Sequence, residues 1–218
     1  MMAKVAVVIT ILNEERTLPG LFAALEKQSR VPDEVIIVDG GSTDGSIGLL
    51  GNWKPKFKFS WFERRGNRSV GRNAGIARAK SEMIAITDAG CYPQKHWLKN
   101  ITSSLLSGAT DVVAGYYRPV TTSAFERAAS AYMLVMPNKV RADNFLPATR
   151  SMAFSKSIWK KMGGFENKYA HNEDYVFAKK LRRSGAKIIF VHSAVVDWSP
   201  PHNWGSFLRQ VGRFAYGD

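Results

Sequence analysis

The segment KVAVVITIL, at residues 4–12, decides the fold class of this chain. After Lys4 its residues are β-branched or otherwise apolar without polar alternation, which is typical of a strand buried on both faces of a parallel sheet. Apolar residues then recur at helical spacing from Leu18 to Leu25. We expect Glu14 and Glu15 to form the first turn of this helix, where acids favour the helix dipole. A second apolar run, Val35 to Val38, completes a β-α-β unit.

The same order of strand and helix continues along the chain. Further strands are predicted at residues 57–62, 83–87, 111–117, 152–154 and 187–191, and further helices at residues 70–79, 97–106, 123–136, 173–184 and 205–218. Alternating strands and helices favour an α/β sandwich around a mainly parallel sheet. No internal repeat or Gly/Ser linker divides the chain, so we expect a single domain.

The composition is that of an ordinary globular protein. Of the 218 residues, 45% are hydrophobic and 22% are charged, which excludes a disordered chain and a coiled coil. No apolar run reaches the about 18 residues that a membrane-spanning helix needs. The single cysteine, Cys91, excludes an internal disulfide and cysteine-based zinc clusters. Because it suits a reducing compartment, we expect a cytoplasmic protein.

The charge balance is strongly basic. Lysine and arginine number 31 against 18 acids, a net charge of +13. This excess of positive charge favours an anionic partner. The candidates are nucleic acid, an anionic membrane surface and a phosphate-bearing substrate. Alternatively, the charged surface only keeps the protein soluble. The predicted helix at residues 123–136 carries Tyr132, Met133 and Met136. It either rests on an anionic leaflet at the inner face of the cell membrane or contributes to the core.

Three polar clusters follow predicted strands, at residues 10–14, 39–44 and 88–91. Ligands of open α/β sheets bind beyond the carboxyl ends of parallel strands, so we expect Asp39 and Asp88 to meet at one edge of the sheet. Their carboxylates can accept hydrogen bonds from a nucleobase or a ribose, and nearby arginines can bind phosphate. Each cluster alone also fits ordinary turn chemistry. The motifs of P-loop ATPases, dinucleotide oxidoreductases, metalloproteases and serine hydrolases are absent from the sequence.

Four segments, in order, resemble family 2 glycosyltransferases of the GT-A fold. They are VVITILNEE at residues 7–15, PDEVIIVDGGSTDGS at 32–46, GRNAGIARAKSEMIAITDAGCYP at 71–93 and MAFSKSIWKKMGGFENKYAHNEDYVFAKKLRRSG at 152–185. The resemblance implies a Rossmann-like α/β/α sandwich. It also implies inverting transfer of a sugar from a nucleotide-diphosphate sugar to a hydroxyl of a glycan or lipid-linked acceptor. Residues 1–93 would bind the nucleotide sugar and residues 94–218 the acceptor, with a C-terminus that we expect to be truncated.

The resemblance further implies roles for single residues. The matched nucleotide-sugar-binding positions are Thr10, Glu14, Asp39, Arg68, Arg72, Asp88 and Gly90. Asp39 would contact the nucleobase, Asp88 would contact the ribose and the metal shell, and the arginines would lie near the base or the diphosphate. Asp174 matches the general base of inverting members. Glu173 would hold the acceptor or orient Asp174.

The chain departs from the family's D-x-D element. Asp88-Ala89-Gly90 lacks the second carboxylate, which would bind Mn²⁺ or Mg²⁺, and Gly90 offers only a backbone carbonyl. The family often has a metal-binding histidine where this chain has Val195 to Trp198, so Asp197 is a candidate ligand beside Asp88. Alternatively, basic side chains stabilise the departing diphosphate without a metal. The sequence leaves dependence on Mg²⁺ or Mn²⁺ open.

Other interpretations stay open as well. Residues 210–214, QVGRF, are similar to the Q-x-x-R-W element of processive members, but they also fit an amphipathic helix with outward glutamine and arginine. A basic nucleic-acid-binding module and a non-catalytic nucleotide-sugar binder are the rival functions. The sequence lacks a nucleic-acid-binding motif and a dense cationic stripe. Because Asp39, Asp88 and Asp174 are all present, we expect an enzyme and no nucleic-acid partner.

Overall fold

The computed structural model describes residues 3–134, 139–141, 145–169 and 171–217, with only the backbone described beyond residue 212. The strands are β1 (Val5–Ile11), β2 (Glu34–Asp39), β3 (Phe59–Glu63), β4 (Met83–Ile86), β5 (Cys91–Pro93), β6 (Val112–Pro119), β7 (Met152–Ser155) and β8 (Ile188–Trp198). The helices are α1 (Leu18–Glu26), α2 (Ser46–Asn52), α3 (Arg68–Arg78), α4 (Trp97–Leu106), α5 (Ala124–Met133), α6 (Lys156–Lys161), α7 (Glu173–Arg183) and α8 (Trp204–Gly217).

The strands form one sheet in the order β3-β2-β1-β4-β7-β6-β8-β5. Strands β3, β2, β1 and β4 are mutually parallel, and β6 is parallel to β8. Only β7 and β5 run antiparallel to their neighbours. The sheet is therefore mainly parallel, as the sequence predicts. Burial of apolar area supplies most of the driving force for this arrangement, and every side chain of β1 from Val5 to Ile9 is fully buried.

Helices cover both faces of the sheet. Successive residues of a strand point to opposite faces. Val7 and Ile9 of β1 accordingly pack in one core with residues of α1, α2 and α4. Ala6 and Val8 pack in a second core with residues of α3, α6 and α7. The predicted α/β/α sandwich is confirmed.

Most predicted elements are confirmed, but the predicted start of α1 is wrong. The helix begins at Leu18, and its first turn contains no acid. Glu14 and Glu15 lie in the preceding loop, where their backbone N–H groups donate to Ser46 Oγ and Asp44 Oδ2 at 2.9 and 3.1 Å. These bonds tie the loop after β1 to the turn after β2, and both segments border the site described below. Three short elements, α2, β5 and α6, were not predicted.

Two bounds differ in the C-terminal half. Strand β8 continues to Trp198 instead of ending at Val191, which places Asp197 inside a strand. Helix α5 ends at Met133, and Met136 lies outside the described residues. Helix α8 confirms a helix at the QVGRF segment, whose last two side chains are not described, so its likeness to Q-x-x-R-W stays a prediction. Within the described residues, no helix is both long enough and apolar enough to span a bilayer.

The sheet order creates a crevice at the carboxyl end of β1. From β1 the chain passes to β2 and β3 on one side, and it later returns to the other side as β4. The strand order therefore reverses next to β1. Open α/β sheets bind ligands at such a reversal, because the loops that leave the two flanking strands diverge there.

Candidate active site

A cleft of about 480 Å³ opens at this carboxyl edge of the sheet. It is lined by Thr10, Ile11, Leu12, Asn13, Glu14, Val38, Gly40, Arg64, Gly66, Asn67, Arg68, Gly71, Asp88, Ala89 and His171. Of the predicted site residues, Thr10, Glu14, Arg68 and Asp88 are in this lining. The cleft thus presents carboxylates and cations together, a surface suited to a ligand that has both hydroxyls and phosphates.

Glu14 is a partly buried carboxylate on one wall of the cleft. Its Oε2 accepts a hydrogen bond of 2.5 Å from Thr17 Oγ1. Burial raises the pKa of this carboxyl, and the charges of Asp88 and Asp44 add to the rise. The bond from Thr17 and the charge of Arg68 oppose it without cancelling it. Glu14 is therefore a better hydrogen-bonding partner for ligand hydroxyls than for a further anion.

Asp39 is fully buried at the end of β2 and organises the turn beneath the cleft. Its Oδ2 accepts hydrogen bonds from the N–H groups of Gly41 and Ser42 at 2.8 and 2.9 Å. Its Oδ1 accepts from Ser42 Oγ at 2.5 Å. Asp39 is not in the lining, whereas its neighbour Gly40 is. The predicted contact with a nucleobase stays a prediction.

Arg72 lies at the centre of a buried ion-pair network. Its side chain is 1% exposed, and it forms ion pairs with Asp88 Oδ1 at 2.7 Å and with Glu173 Oε1. Burial by itself would lower the pKa of Arg72, but the two carboxylates outweigh it and raise the pKa, so the guanidinium stays charged. The network fixes α3 to the residues that follow β4 and to the start of α7. Arg72 does not line the cleft, whereas Arg68, one turn earlier in α3, does.

Glu173 does not face an acceptor. It is 3% exposed, and its carboxylate is occupied by Arg72. A direct contact with an acceptor is therefore contradicted, because a buried, ion-paired carboxylate is closed to a second ligand. The alternative role, orienting Asp174, stays a prediction, and it fits a residue that fixes the first turn of α7.

Thr149 connects the two aspartates of the site. Its Oγ1 donates to Asp88 Oδ2 at 3.3 Å, and its N–H donates to Asp174 Oδ2 at the same distance. Asp174 lies in the first turn of α7, where its Oδ1 accepts a hydrogen bond of 2.9 Å from the Tyr175 N–H. Unlike Glu173, Asp174 is partly exposed. The structure thus brings the predicted general base next to the predicted nucleotide-sugar site.

Asp88 is held as an anion among arginines. Burial alone would raise the pKa of its carboxyl, but the guanidinium groups of Arg72, Arg68 and Arg150 outweigh burial and lower the pKa. Arg150 directly follows Thr149, and its guanidinium stacks on the rings of Tyr117 and Trp198 at 5.2 and 5.0 Å. Cations therefore outnumber the carboxylate at this end of the site.

Asp197 is not brought to Asp88. Its neighbours on β8, Val196 and Trp198, point into the core, so Asp197 points the other way. Its Oδ1 accepts from the Nε of Arg118 at 2.9 Å, and Gln94 Nε2 approaches at 3.3 Å. The structure contradicts the interpretation of Asp197 as a metal ligand beside Asp88, because its carboxylate is occupied by Arg118 on the opposite side of the strand.

The groups near Asp88 do not fit a divalent cation held by protein side chains. Such a cation takes about six oxygen ligands. Among the described residues, no three histidine, cysteine, aspartate or glutamate side chains come together to hold a metal ion. Both Asp88 oxygens already accept hydrogen bonds. Gly90 has a φ of +79°, in the left-handed region that favours glycine, so the backbone itself disfavours a carboxylate side chain there.

The sequence gives no direct indication of several residues at the site. They are Asn67, Thr149, Arg150 and His171. Asn67 had a readable signal, because asparagine before a helical pattern is a common N-cap, and its Oδ1 accepts from the Val70 N–H at 3.1 Å. The other three lie outside any periodic segment, and only the fold brings His171 into the cleft lining and Thr149 and Arg150 beside Asp88.

Comparison with known proteins identifies the family. Residues 6–164 match the family model described as glycosyl transferase family 2. The chain belongs to this family. It is a glycosyltransferase, and the predicted family is confirmed. The match crosses residue 93 and includes every cleft-lining residue except His171, whereas Glu173, Asp174 and strand β8 lie beyond it.

Named relatives are glycosyltransferases or proteins of glycan synthesis. This family 2 enzyme is 22% identical to the O-antigen chain rhamnosyltransferase RfbN of Salmonella typhimurium, over 92% of this chain and 67% of RfbN. It is 26% identical to the succinoglycan biosynthesis protein ExoA of Rhizobium meliloti, over 97% of this chain and 67% of ExoA. The chain therefore spans about two thirds of the length of these relatives.

Solved structures confirm the GT-A fold. The mannosyltransferase PcManGT from Pyrobaculum calidifontis, in complex with GDP-Man and Mn²⁺, matches with a TM-score of 0.74 and 23% identity, over 94% of this chain and 59% of that one. TarS of S. aureus matches with a TM-score of 0.71 and 20% identity, over 95% of this chain and 39% of TarS. At these identities the likeness concerns the fold alone.

Proposed function

We propose that this enzyme transfers a sugar from a nucleotide-diphosphate sugar to a hydroxyl of a glycan or lipid-linked acceptor, with inversion at the anomeric carbon. One observation carries the proposal: Thr149 holds the partly exposed Asp174 next to Asp88, at the end of the cleft. A candidate base therefore adjoins a pocket of suitable charge. The donors GDP-Man and UDP-GlcNAc, present in the structures of PcManGT and TarS, support the class of donor.

The donor nucleotide would lie in the cleft at the carboxyl end of β1. Thr10, Glu14, Arg68 and Asp88 all belong to its lining. In this arrangement Glu14 and Asp88 accept from ribose hydroxyls and Arg68 binds the diphosphate. All these residues belong to the proposed donor half, residues 1–93. Thr149 and Asp174 come from the proposed acceptor half, residues 94–218.

In the proposed reaction the acceptor oxygen attacks the anomeric carbon. A new carbon–oxygen bond forms, the bond between that carbon and the diphosphate oxygen breaks, and its electron pair leaves with the diphosphate. The acceptor proton passes to the carboxylate of Asp174. A hydroxyl needs such a base because its own pKa is far above neutral. The Tyr175 and Thr149 N–H groups orient both Asp174 oxygens, and Glu173 with Arg72 fixes the helix that carries it.

The test separates binding from transfer. Asp174→Asn keeps the shape of the side chain and removes its basicity, so we expect sugar transfer to fall at least about 100-fold while the nucleotide affinity stays unchanged. Transfer is measured as release of the nucleoside diphosphate in the presence of acceptor. Glu82→Gln is the matched control, because Glu82 is exposed at the amino end of β4, away from the cleft, and this variant should keep full activity. Full transfer by Asp174→Asn would sink the assignment.

We also propose an anionic membrane surface, at the inner face of the cell membrane, as the site where this enzyme works. Aromatic rings of α5 and α8 pack together, with centroid distances of 5.2 Å for Phe125 and Trp204 and 5.6 Å for Tyr132 and Phe207. Tyr132 and Trp204 are nevertheless 72% and 67% exposed, and Leu208 is 61% exposed. Exposed aromatic and apolar side chains on an amphipathic helix are typical of contact with a membrane interface.

The exposed cations Arg127 and Arg209 lie on the same two helices, which favours an anionic surface over a neutral one. Flotation with phosphatidylglycerol-containing vesicles should recover the protein, and Trp204→Ser should reduce the recovery. Val31→Ser is the control, because Val31 is 61% exposed on a different surface. Equal recovery with vesicles of phosphatidylcholine alone would contradict an electrostatic contribution.

A further inference from the structure

We propose that Arg150, together with Arg68, takes the place of a divalent cation in binding the donor diphosphate, so that neither donor binding nor transfer requires a metal. The inference rests on the proposed function, because it concerns how the same site holds its donor. It assigns a direct role to Arg150, a residue outside the four segments that resemble the family.

The Arg150 guanidinium lies beside the incomplete D-x-D element. It lies over the ring of Trp198, at 5.0 Å, and Trp198 pairs with Cys91 across β8 and β5. Cys91 follows Gly90, the position at which the second D-x-D carboxylate is missing. The guanidinium therefore lies alongside the segment from Asp88 to Cys91. A cation built into the protein occupies the neighbourhood in which the family pattern would place a metal ligand.

The Arg150 guanidinium can donate hydrogen bonds to a ligand. Within the described part of the chain its guanidinium has no hydrogen-bonded or ion-paired partner, and it is only stacked on Tyr117 and Trp198. Arg72, in contrast, is occupied by Asp88 and Glu173. Neither ring contact engages an N–H donor, and no Arg150 nitrogen is among the side-chain atoms of the described residues that are buried without a partner. A guanidinium presented in this way can bind two phosphate oxygens at once.

The positive charges around Asp88 favour a diphosphate over a divalent cation. Asp88 is surrounded by Arg68, Arg72 and Arg150, and these positive charges oppose the entry of a divalent cation. The same charges favour a diphosphate. When the bond between the anomeric carbon and the diphosphate oxygen breaks, negative charge increases on the diphosphate. Donors already in place, such as Arg150 and Arg68, stabilise that charge without reorganisation.

The test is calorimetric titration of the wild-type chain with UDP, GDP, UMP and GMP, each in EDTA and again in Mn²⁺. We expect one diphosphate to bind with the same affinity in both conditions, and more tightly than its monophosphate. Arg150→Met should weaken binding of that diphosphate in EDTA by about 10- to 100-fold, with little effect on the monophosphate, because hydrogen bonds to a charged group are lost. Arg150→Lys keeps the positive charge but loses the paired N–H donors of the guanidinium. Its diphosphate affinity should therefore lie between that of the wild type and that of Arg150→Met.

Arg78→Met is the matched control, because Arg78 also stacks on an aromatic ring, Phe62 at 4.8 Å, but is not among the arginines whose charge acts on Asp88. It should bind like the wild type, and thermal unfolding checks that each variant is folded. Binding of a nucleotide only in Mn²⁺ would overturn the inference and leave the proposed function standing. Equal loss in the Arg150 and Arg78 variants would also overturn it. Absence of nucleotide binding in both conditions would overturn the proposed function and this inference together.

Discussion

At the scale of single residues, the buried Arg72 connects the elements that surround the candidate active site. Arg72 connects three elements through two carboxylates, and its own Nε is buried without a partner among the described residues. Removing one member of a buried ion-pair network leaves the others charged and desolvated, which costs more than the network contributes over an apolar substitute. Loss of Arg72 should therefore destabilise the fold strongly.

Arg72→Met should lower the free energy of unfolding by about 3–5 kcal/mol, because the buried Glu173 and the partly buried Asp88 would both lose their partner. Urea denaturation measures this difference. Arg78→Met provides the comparison, since an exposed arginine outside the network should change stability by less than about 0.5 kcal/mol. Similar losses in both variants would show that the network does not stabilise the fold.

The same variant has a defined pH dependence. Burial raises the pKa of Asp88, but the arginines outweigh it and the pKa is lowered from 3.8. Such a carboxyl stabilises the fold above its unfolded pKa, and this contribution is lost as the pH falls through the folded pKa. Arg72→Met removes the strongest of the charges that lower this pKa, so the variant should lose less stability in acid than the wild type. The stability difference between the two should therefore be constant above about pH 5 and shrink below about pH 4, and a difference that stays constant below about pH 4 would contradict this expectation.

Sequence alone predicted the local positions of Asp88 and Asp174 but not their surroundings. Asp88 follows a strand and lines the cleft, and Asp174 lies in the first turn of a helix, while their roles stay predictions. Glu173 and Asp197 are also carboxylates, and the sequence does not distinguish them from Asp88 and Asp174. Glu173 is buried against Arg72, and Asp197 is paired with Arg118. Both pairings depend on tertiary packing. A single sequence carries no record of such partners when they are about 80 to 100 positions apart.

At the scale of elements, α3 owes its position to two glycines. A Cβ on Gly75 would lie 2.7 Å from Val8 Cγ1, and a Cβ on Gly71 would lie 2.9 Å from Thr10 Cγ2. The helix can therefore approach β1 more closely than side chains would allow. This close approach places Arg68 and Arg72, which lie on the same helix, at the carboxyl end of the strand.

Gly75→Ala should destabilise the protein by about 1–3 kcal/mol, since the added methyl group meets Val8 in a packed core. Gly48→Ala in α2 is the opposite case, because no atom lies within 4 Å of the new Cβ. There the better helix propensity of alanine should add about 0.5–1 kcal/mol. Thermal unfolding of both variants compares them directly. A destabilised Gly48→Ala, or an unaffected Gly75→Ala, would contradict this packing.

The elements that the sequence did not predict are those with weak local signals. Helix α2 contains two glycines in seven residues, β5 has three residues and α6 has six. Short elements such as these are stabilised by tertiary packing rather than by their own propensity. The early start predicted for α1 has a different cause. Glu14 and Glu15 would suit a first helical turn, but the loop that contains them is bonded to the turn after β2 instead.

At the scale of the whole molecule, the proposed donor and acceptor halves share one sheet and one hydrophobic core. Strand β4 pairs with β7 across the proposed boundary at residue 93, and one core includes Val7 and Ile9 together with Trp97 and Val196. The fold class followed from sequence because long apolar strands and amphipathic helices are local signals. The site did not follow in full, because it is assembled from both sides of that boundary.

The most direct measurement is a crystal structure of the wild-type chain with the nucleoside diphosphate that binds it. We expect the nucleotide to lie in the cleft at the carboxyl end of β1. Its base should lie near Gly40, and its phosphate oxygens should lie within hydrogen-bond distance of Arg68 and Arg150. A nucleotide bound elsewhere, for example against the basic side chains Lys179 and Arg183 of α7, with the β1 cleft unchanged, would contradict it.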